Sequence, residues 1–148
     1  MDMKAAIETG DAEALHRLLA ERPSRADELI QWGHCRTHPL HYISDMLFTG
    51  VLREGRELAL VDSLIEAGSD VNFDSGRTGE TPLIGAASLG AEAVGLRLLE
   101  AGADPAVRGL FGATALHWAA LLGEDRLAAK LIPVSDLNLK DREYHSPP

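Results

Sequence analysis

The chain has 148 residues, of which 45% are hydrophobic, and it carries a formal net charge of -9. This length and this hydrophobic content are sufficient for one folded domain and argue against a disordered chain. The negative charge argues against nucleic acid and against anionic membrane surfaces as partners, because both attract Lys and Arg, and it favours basic or neutral partners.

The amino-terminal segment, residues 1–32, is interpreted as a degenerate first unit of a repeat. Within it, "AAIETGDAEALHRLLAE" places Gly10 eight residues before Leu18, and the same spacing returns in later units. The segment has no apolar run long enough for a signal peptide, and the chain has no stretch of roughly 20 apolar residues for a membrane span. The single cysteine, Cys35, agrees with a reducing compartment. We therefore expect a cytoplasmic protein that has no membrane partner.

Residues 33–75 are the second predicted unit, and this unit carries an insertion. "HPLHYIS" opens its first helix with His38 in the capping position. Between that start and its leucine pair the unit is nine residues longer than the later units, and the surplus lies within residues 44–57. This stretch contains apolar residues such as Phe48 and Leu52. Two interpretations stay open: a lengthened first helix that covers the edge of the core, or an exposed apolar patch that contacts a partner.

The third and fourth units, residues 76–108 and 109–141, repeat at an interval of 33 residues from Thr81 to Thr114. Each threonine precedes an apolar pattern and can cap a helix with its hydroxyl. Each first helix then has a pair of alanines, which let neighbouring helices approach closely, and a glycine suited to ending the helix. We expect four aliphatic residues of the second helices to be buried between units: Leu98, Leu99, Leu131 and Ile132.

The carboxyl end is interpreted as the start of a possible fifth repeat. Within residues 142–148, Ser146 and Pro147 stand where the next threonine and proline would be expected. Unit four also keeps the alanines and leucines of an internal repeat, whereas terminal repeats normally have a polar outer face. We therefore expect the array to continue, or the exposed end to be covered by another molecule. The protein is expected to be a monomer, or to associate through the uncapped fourth repeat.

These patterns resemble the ankyrin repeat. Its units carry T-P-L-H at the start of a first helix, A-A-x-x-G at its end, a leucine pair in a second helix, and G-A-D-x-N before a β-turn. The resemblance covers nearly the whole chain, with Ile84 in place of the histidine in unit three and Ala115 in place of the proline in unit four. It implies a single domain, residues 1–148, with an all-α solenoid of stacked helix-turn-helix units joined by β-turn or hairpin loops.

The side chains most suited to chemistry are clustered in "GHCRTHPLH": His34, Cys35, His38 and His41. Thiolate and imidazole are preferred zinc ligands, but their spacing here is not that of a zinc site. The resemblance gives His41 a structural role in linking neighbouring repeats. No family signature surrounds Cys35 for a thiol enzyme with His41 and Asp45. We therefore expect no enzymatic activity, no metal and no cofactor, with a Cys/His metal or thiol site as an alternative.

The resemblance implies a non-catalytic protein-protein interaction module that binds a protein or peptide through its turn tips and the concave face of its first helices. A regulatory or structural domain of a larger protein is the alternative. In unit four the residues at these places are Leu110, Phe111, Ala113, Trp118, Leu121 and Leu122. In units two and three they are Tyr42, Arg77, Thr78, Glu80, Ser88 and Leu89.

Unit four is the most apolar of the units at these positions. A tryptophan and a phenylalanine beside leucines are typical of a binding hot spot. Acidic residues such as Glu80 lie near the rim, so the expected partner carries apolar anchors and basic flanks. Trp118 and Leu122 can equally pack beneath their own turns, and this alternative stays open.

Overall fold

A computed structural model describes residues 1–74 and 80–134 of the chain. Within these residues the chain forms eight α-helices and one antiparallel pair of strands. None of the helices there combines the length and the apolar character that crossing a bilayer requires. The elements are α1 (Met3–Thr9), α2 (Ala12–Glu21), β1 (Ile30–Trp32), β2 (Cys35–Thr37), α3 (Pro39–Thr49), α4 (Glu57–Glu66), α5 (Pro82–Ser88), α6 (Glu92–Glu100), α7 (Ala115–Leu122) and α8 (Asp125–Leu131).

The helices are arranged in two layers. The first helices of the units, α1, α3, α5 and α7, pack against one another in chain order, and the second helices, α2, α4, α6 and α8, do the same. The two helices of each unit also pack together. A single unit cannot bury its own apolar face, so the core lies between units and between the two layers. The predicted all-α solenoid of stacked helix-turn-helix units is confirmed.

The predicted capping residues begin the first helices. The hydroxyls of Thr81 and Thr114 each accept a hydrogen bond from the backbone N–H three residues later, at the start of α5 and α7. His38 takes the place of the threonine in unit two, where its Nδ1 accepts from the Leu40 N–H at 3.2 Å. In unit four, His117 Nδ1 accepts from the Thr114 N–H at 2.8 Å and completes a capping box.

The aliphatic residues that the repeat predicts to be buried in the second helices are buried, except at the end of the last unit. Leu98 and Leu131 are completely buried in the second-helix layer, and Leu99 is partly buried against the core. Ile132 is 53% exposed, so the prediction that it is buried is wrong. Ile132 follows the end of α8, and in the part of the chain that the structure describes no later unit packs against it.

Units one and two are joined by a β-hairpin. Ile30 lies opposite Thr37, and Trp32 lies opposite Cys35. The turn between the strands includes Gly33, whose φ of 62° lies in the left-handed region that glycine adopts without strain. The hairpin places Trp32 and Cys35 at the same end of the molecule as the starts of the first helices.

The insertion has features of both interpretations. The first helix of unit two, α3, has 11 residues, whereas α5 has 7. Met46 and Leu52 are buried, and a methyl group of Leu52 lies against Gly10 in unit one. Phe48 and Val51 are 68% and 54% exposed. The insertion thus lengthens the helix and covers the core edge, and it also leaves an apolar patch on the surface; contact of that patch with a partner stays a prediction.

Candidate partner-binding surface

The turn before α7 carries an exposed aromatic ring on a constrained backbone. Arg108 Nη1 donates to the Gly112 carbonyl at 2.5 Å, and the Gly109 N–H donates to the Ala113 carbonyl at 2.9 Å. These bonds close the turn around Phe111, whose φ of 62° is in the left-handed region. That region costs an L-residue with a side chain roughly 1 to 2 kcal/mol. The Phe111 side chain is nonetheless 89% exposed, so the turn presents the ring to solvent at an energetic cost.

The helix that follows has two exposed leucines at its far end. Leu121 and Leu122 close α7 and are 74% and 48% exposed. Eight helical residues span about 12 Å, so Phe111 and these leucines lie at opposite ends of the first helix of unit four. Trp118 lies between them and is partly buried against the core, with its indole Nε1 enclosed and without a hydrogen-bond partner. Trp118 thus packs partly against the core, and contact of its remaining exposed surface with a partner stays a prediction.

The predicted residues of unit three are divided between the two ends of α5. Glu80 is partly buried beside the start of the helix, and a Cβ on Gly109 of the next turn would lie 3.0 Å from its Oε1. Glu80 also lines a cavity of about 320 Å³ with Arg36, Phe73 and other residues. Ser88 and Leu89 lie at the opposite end of α5 and are partly buried. Two further predicted residues lie outside the described residues, Arg77 and Thr78.

Of the remaining predicted residues, Ala113 is partly buried beside the Phe111 turn. Leu110 lies in the same turn, within the short 3₁₀ segment Leu110–Gly112. The structure therefore brings Leu110, Phe111 and Ala113 together at the turn tip, close to Glu80 across Gly109. Leu121, Leu122, Ser88 and Leu89 belong to the other end of the first helices.

Tyr42 is not at the surface. Its side chain is completely buried, and its hydroxyl donates a hydrogen bond to the Glu8 carboxylate in α1. The ring also meets Trp32 edge-on, with 6.0 Å between the ring centroids. Burial and the nearby Glu8 carboxylate raise the pKa of Tyr42 above its ordinary value. The prediction that Tyr42 contacts a partner is wrong, because this side chain joins unit two to unit one.

His38 is fully engaged in structural contacts. Because Nδ1 accepts the cap hydrogen bond, Nε2 carries the proton and donates to Asp27 Oδ1 at 2.7 Å. The ring also stacks on Phe73, with 4.6 Å between centroids. Burial lowers the pKa of His38 even though Asp27 opposes this effect, so the ring is neutral at neutral pH. With both ring nitrogens occupied, His38 is not available as a metal ligand.

Cys35 and His41 belong to different structural elements. Cys35 is an exposed thiol on β2, whereas His41 lies on α3 with its Nε2 3.6 Å from Asp45 Oδ1. Among the hydrogen bonds of the described residues, none joins Cys35 to His41. Within the same part of the chain, no three His, Cys, Asp or Glu side chains are grouped so that they could hold a metal ion.

A buried carboxylate at the start of α8 was not anticipated from the sequence. Glu124 is 7% exposed, and neither of its carboxylate oxygens has a hydrogen-bond partner. The Leu127 N–H, which the Glu124 side chain is positioned in the sequence to cap, donates instead to Glu92 Oε2 of unit three at 3.0 Å. Burial, with a smaller contribution from Glu92, raises the pKa of Glu124 to about 7. A glutamate after a helix-ending glycine predicts only a helix start, and nothing in the repeat indicates this burial.

Comparison with known sequences gives two similarities. Residues 47–141, more than half of the chain, match the profile of a family described as ankyrin repeats in three copies. The chain is also 38% identical over 74 residues to the 2-5A-dependent ribonuclease of Homo sapiens. That alignment covers 50% of this chain and 10% of the relative, so the chain spans about a tenth of the relative's length.

Proposed function

The chain belongs to the ankyrin-repeat family, and on this basis we propose that it is a non-catalytic module that recognises a protein or peptide through its turn tips and first helices. Ankyrin repeats generally mediate protein-protein interaction, and the fold is typically non-catalytic. The proposal also specifies the surface of this chain that contacts the partner. We assign it to unit four, from the Phe111 turn along α7 to Leu121 and Leu122.

Phe111 is the observation that carries the proposal. Its side chain is 89% exposed, so burial of this side chain contributes little to the stability of the fold. Glycine in its place would remove the strain of the left-handed backbone conformation. Strained backbone at an exposed residue is often associated with function. The Arg108 to Gly112 hydrogen bond constrains the backbone of the turn that carries Phe111, so this backbone loses little further freedom when a partner binds. Phe111 therefore has the properties of a preorganised binding anchor.

The chemistry of the surface indicates the chemistry of the partner. Phe111, Leu121 and Leu122 are suited to apolar side chains, which gain most when both surfaces lose water. The acidic rim at Glu80 and the net charge of -9 favour Lys and Arg beside those anchors. The cavity of about 320 Å³ next to Glu80 has room for one side chain of the partner. The partner we propose is a peptide or protein segment with apolar anchors and basic flanks.

A second candidate function is that of a regulatory or structural domain within a larger protein. The relative favours it, because the alignment covers only 10% of that protein, which is named as a 2-5A-dependent ribonuclease. The test is the size of the endogenous protein in its native source, detected with an antibody against this chain. A band near 15.9 kDa contradicts this candidate, and a much larger band supports it.

The exposed end of unit four supports association there. Ala120 is exposed, whereas Ala87 at the same position of unit three is completely buried by the following helix. Ile132 and Val134 add apolar surface to this end, at 53% and 56% exposure. Sedimentation velocity distinguishes the two proposed states: a monomer at all concentrations, or dimers that Ala120→Glu abolishes.

A cytoplasmic location is also proposed, since the free Cys35 thiol is exposed, and cell fractionation tests it.

Photo-crosslinking tests the proposed surface while the partner is still unidentified. The photoreactive residue p-benzoylphenylalanine replaces Phe111 in one variant, Leu121 in a second, and Leu58 in a control. Leu58 is 39% exposed but lies on α4 in the second-helix layer. We expect positions 111 and 121 to capture the same protein from an extract of the native source, and position 58 to capture none of it. Capture from position 58 alone, or equally from all three, contradicts the assignment.

A further inference from the structure

A groove crosses units two to four at the ends of the first helices, on the side opposite the turn tips. Its volume is about 400 Å³. The walls come from three units: the end of α3 and the insertion, the turn between α5 and α6, and the start of α8. The lining residues used below are Phe48, Glu54, Glu57, Leu89, Glu92 and Arg126. We call this feature the insertion groove.

The insertion creates the groove because it lengthens one helix of an otherwise regular array. With 11 residues against 7 in α5, α3 extends about 6 Å further than its neighbour. Phe48 lies on this extension and is 68% exposed beside the partly buried Leu89. The chain reverses at Gly50, whose φ is 85°, and the buried Leu52 fixes the returning segment. The longer α3 therefore places the aromatic side chain of Phe48 next to the turn between α5 and α6.

Carboxylates outnumber cations in the groove. Glu54 is exposed, and Glu57 Oε1 accepts the Gly55 N–H at 2.7 Å. Glu92 Oε1 lies 3.5 Å from Arg126 Nε, an ion pair at the unit-four end. Arg126 is the one cationic residue that lines the groove within the described part of the chain. The negative charge of the groove is thus only partly neutralised by the protein itself.

We propose that the insertion groove is a second recognition surface, which binds an extended peptide segment with an apolar side chain against Phe48 and Leu89 and with Lys or Arg beside the exposed Glu54. The apolar wall supplies the gain from excluded water, and the partly unneutralised carboxylates select basic flanks. The same charges repel nucleic acid and anionic lipid. Phe111, Leu121 and Leu122 do not line the groove, although the two leucines lie at the same end of the first helices, so the groove is distinct from the surface proposed above.

The dimensions of the groove indicate the length of the segment. It runs from unit two to unit four, two helix spacings of about 10 Å each. A span of about 20 Å is covered by roughly six extended residues. A peptide of this length has room for one central apolar anchor and a basic residue at the end that lies beside Glu54.

The probe for this proposal is a displayed library of random 12-residue peptides. The complete chain is immobilised, and an excess of the soluble Phe48→Ser variant is present during selection, so that peptides bound elsewhere are removed. The enriched peptides are labelled with fluorescein, and their dissociation constants are measured by fluorescence anisotropy. We expect an apolar residue flanked by Lys or Arg, and a loss of affinity of about tenfold or more for Phe48→Ser. Phe48 is exposed, and circular dichroism confirms that this variant is folded.

Two matched variants test the charge and the location. Glu54→Lys should weaken the same peptides, whereas Glu66→Lys, an identical charge change at the end of α4, should leave their affinity nearly unchanged. Phe111→Ser should also have no effect. The proposal is overturned if no peptide is enriched above background, or if the enriched peptides have no basic residues. Equal weakening by Glu54→Lys and Glu66→Lys, or a loss of binding with Phe111→Ser, overturns it as well.

Discussion

The imidazole of His41 occupies the space into which a side chain on Gly85 would extend. His41 lies on α3 and Gly85 on α5, so the contact joins the first helices of units two and three. Gly85 has the repeat position at which units two and four carry Tyr42 and Trp118. The close approach of these two helices therefore depends on the absence of a side chain in unit three.

Gly85→Ala tests this relationship. A Cβ at this position would lie closer to the ring of His41 than van der Waals contact allows. Such overpacking typically costs about 1 to 3 kcal/mol of stability. Alanine favours a helix over glycine by about 1 kcal/mol, so a change in helix propensity alone would have the opposite sign. We expect the free energy of unfolding in urea to fall.

The control for this variant is a double-mutant cycle with His41→Ala. Once the ring is removed, Gly85→Ala should no longer destabilise the protein and should become neutral or stabilising. If Gly85→Ala costs the same with and without the His41 ring, the two residues are not coupled, and the contact does not set the helix spacing.

Phe111→Gly separates stability from recognition. Glycine adopts the left-handed conformation without strain, so we expect the free energy of unfolding to rise by up to about 1 kcal/mol. The same change removes the exposed ring and should weaken partner binding. Phe111→Ala is the matched control, since it keeps the strain while it removes the ring. A lower melting temperature for Phe111→Gly than for Phe111→Ala contradicts the assignment of strain to this position.

Tyr42→Ala should behave as a core substitution. The side chain is completely buried between units one and two, so its removal is expected to cost about 3 to 5 kcal/mol in urea unfolding. Tyr42→Phe keeps the ring and removes only the hydroxyl that donates to Glu8; we expect a cost of about 1 kcal/mol. A change of less than about 0.5 kcal/mol for Tyr42→Ala, roughly the size of a surface effect, goes against this role.

Glu124→Gln should stabilise the protein in a pH-dependent manner. The pKa of Glu124 is raised from 4.5 to about 7, so the folded protein retains a proton that the unfolded chain releases between these values. The contribution of this residue to stability is therefore complete below pH 4.5 and is lost as the pH rises through about 7. At about pH 8 we expect the variant to exceed the wild type by about 1 to 3 kcal/mol.

The pH dependence of that difference is the measurement. Urea unfolding of Glu124→Gln and wild type is compared at pH 5 and pH 8, and other titrating groups such as His38 cancel in the difference. The stability difference between Glu124→Gln and the wild type should be much smaller at pH 5 than at pH 8. Glu66→Gln, a change at an exposed carboxylate, should show no such dependence. If Glu124→Gln and the wild type have the same free energy of unfolding at both pH values, ionisation of Glu124 does not destabilise the fold, and the prediction is wrong.

Much of the fold follows from the sequence because the repeat makes each unit a local structure. Thr81 and Thr114 cap helices because a hydroxyl at a helix start has a nearby backbone N–H, whatever the rest of the chain does. Leu98 and Leu131 are buried because the equivalent positions of neighbouring units meet in the second-helix layer. His38 takes the threonine position because its Nδ1 can accept the same hydrogen bond.

The errors occur where a residue depends on something other than its own unit. Tyr42, Gly85 and Trp118 occupy one repeat position but differ in size, so the repeat could not indicate that Tyr42 extends into a contact with unit one. Ile132 has the composition of an internal position without a following unit to bury it in the described residues. The insertion groove depends on where the extra turn of α3 ends relative to Leu89, which spacing alone does not determine.

The most direct test of the proposed function is the affinity of the crosslinked partner for the double variant Phe111→Ala/Leu121→Ala. Both side chains are exposed, so the melting temperature should remain close to that of the wild type. Calorimetry should give a dissociation constant at least about a hundredfold larger than for the wild type, as expected for the loss of two anchors. An unchanged dissociation constant for the folded double variant would contradict the claim that unit four is the recognition surface.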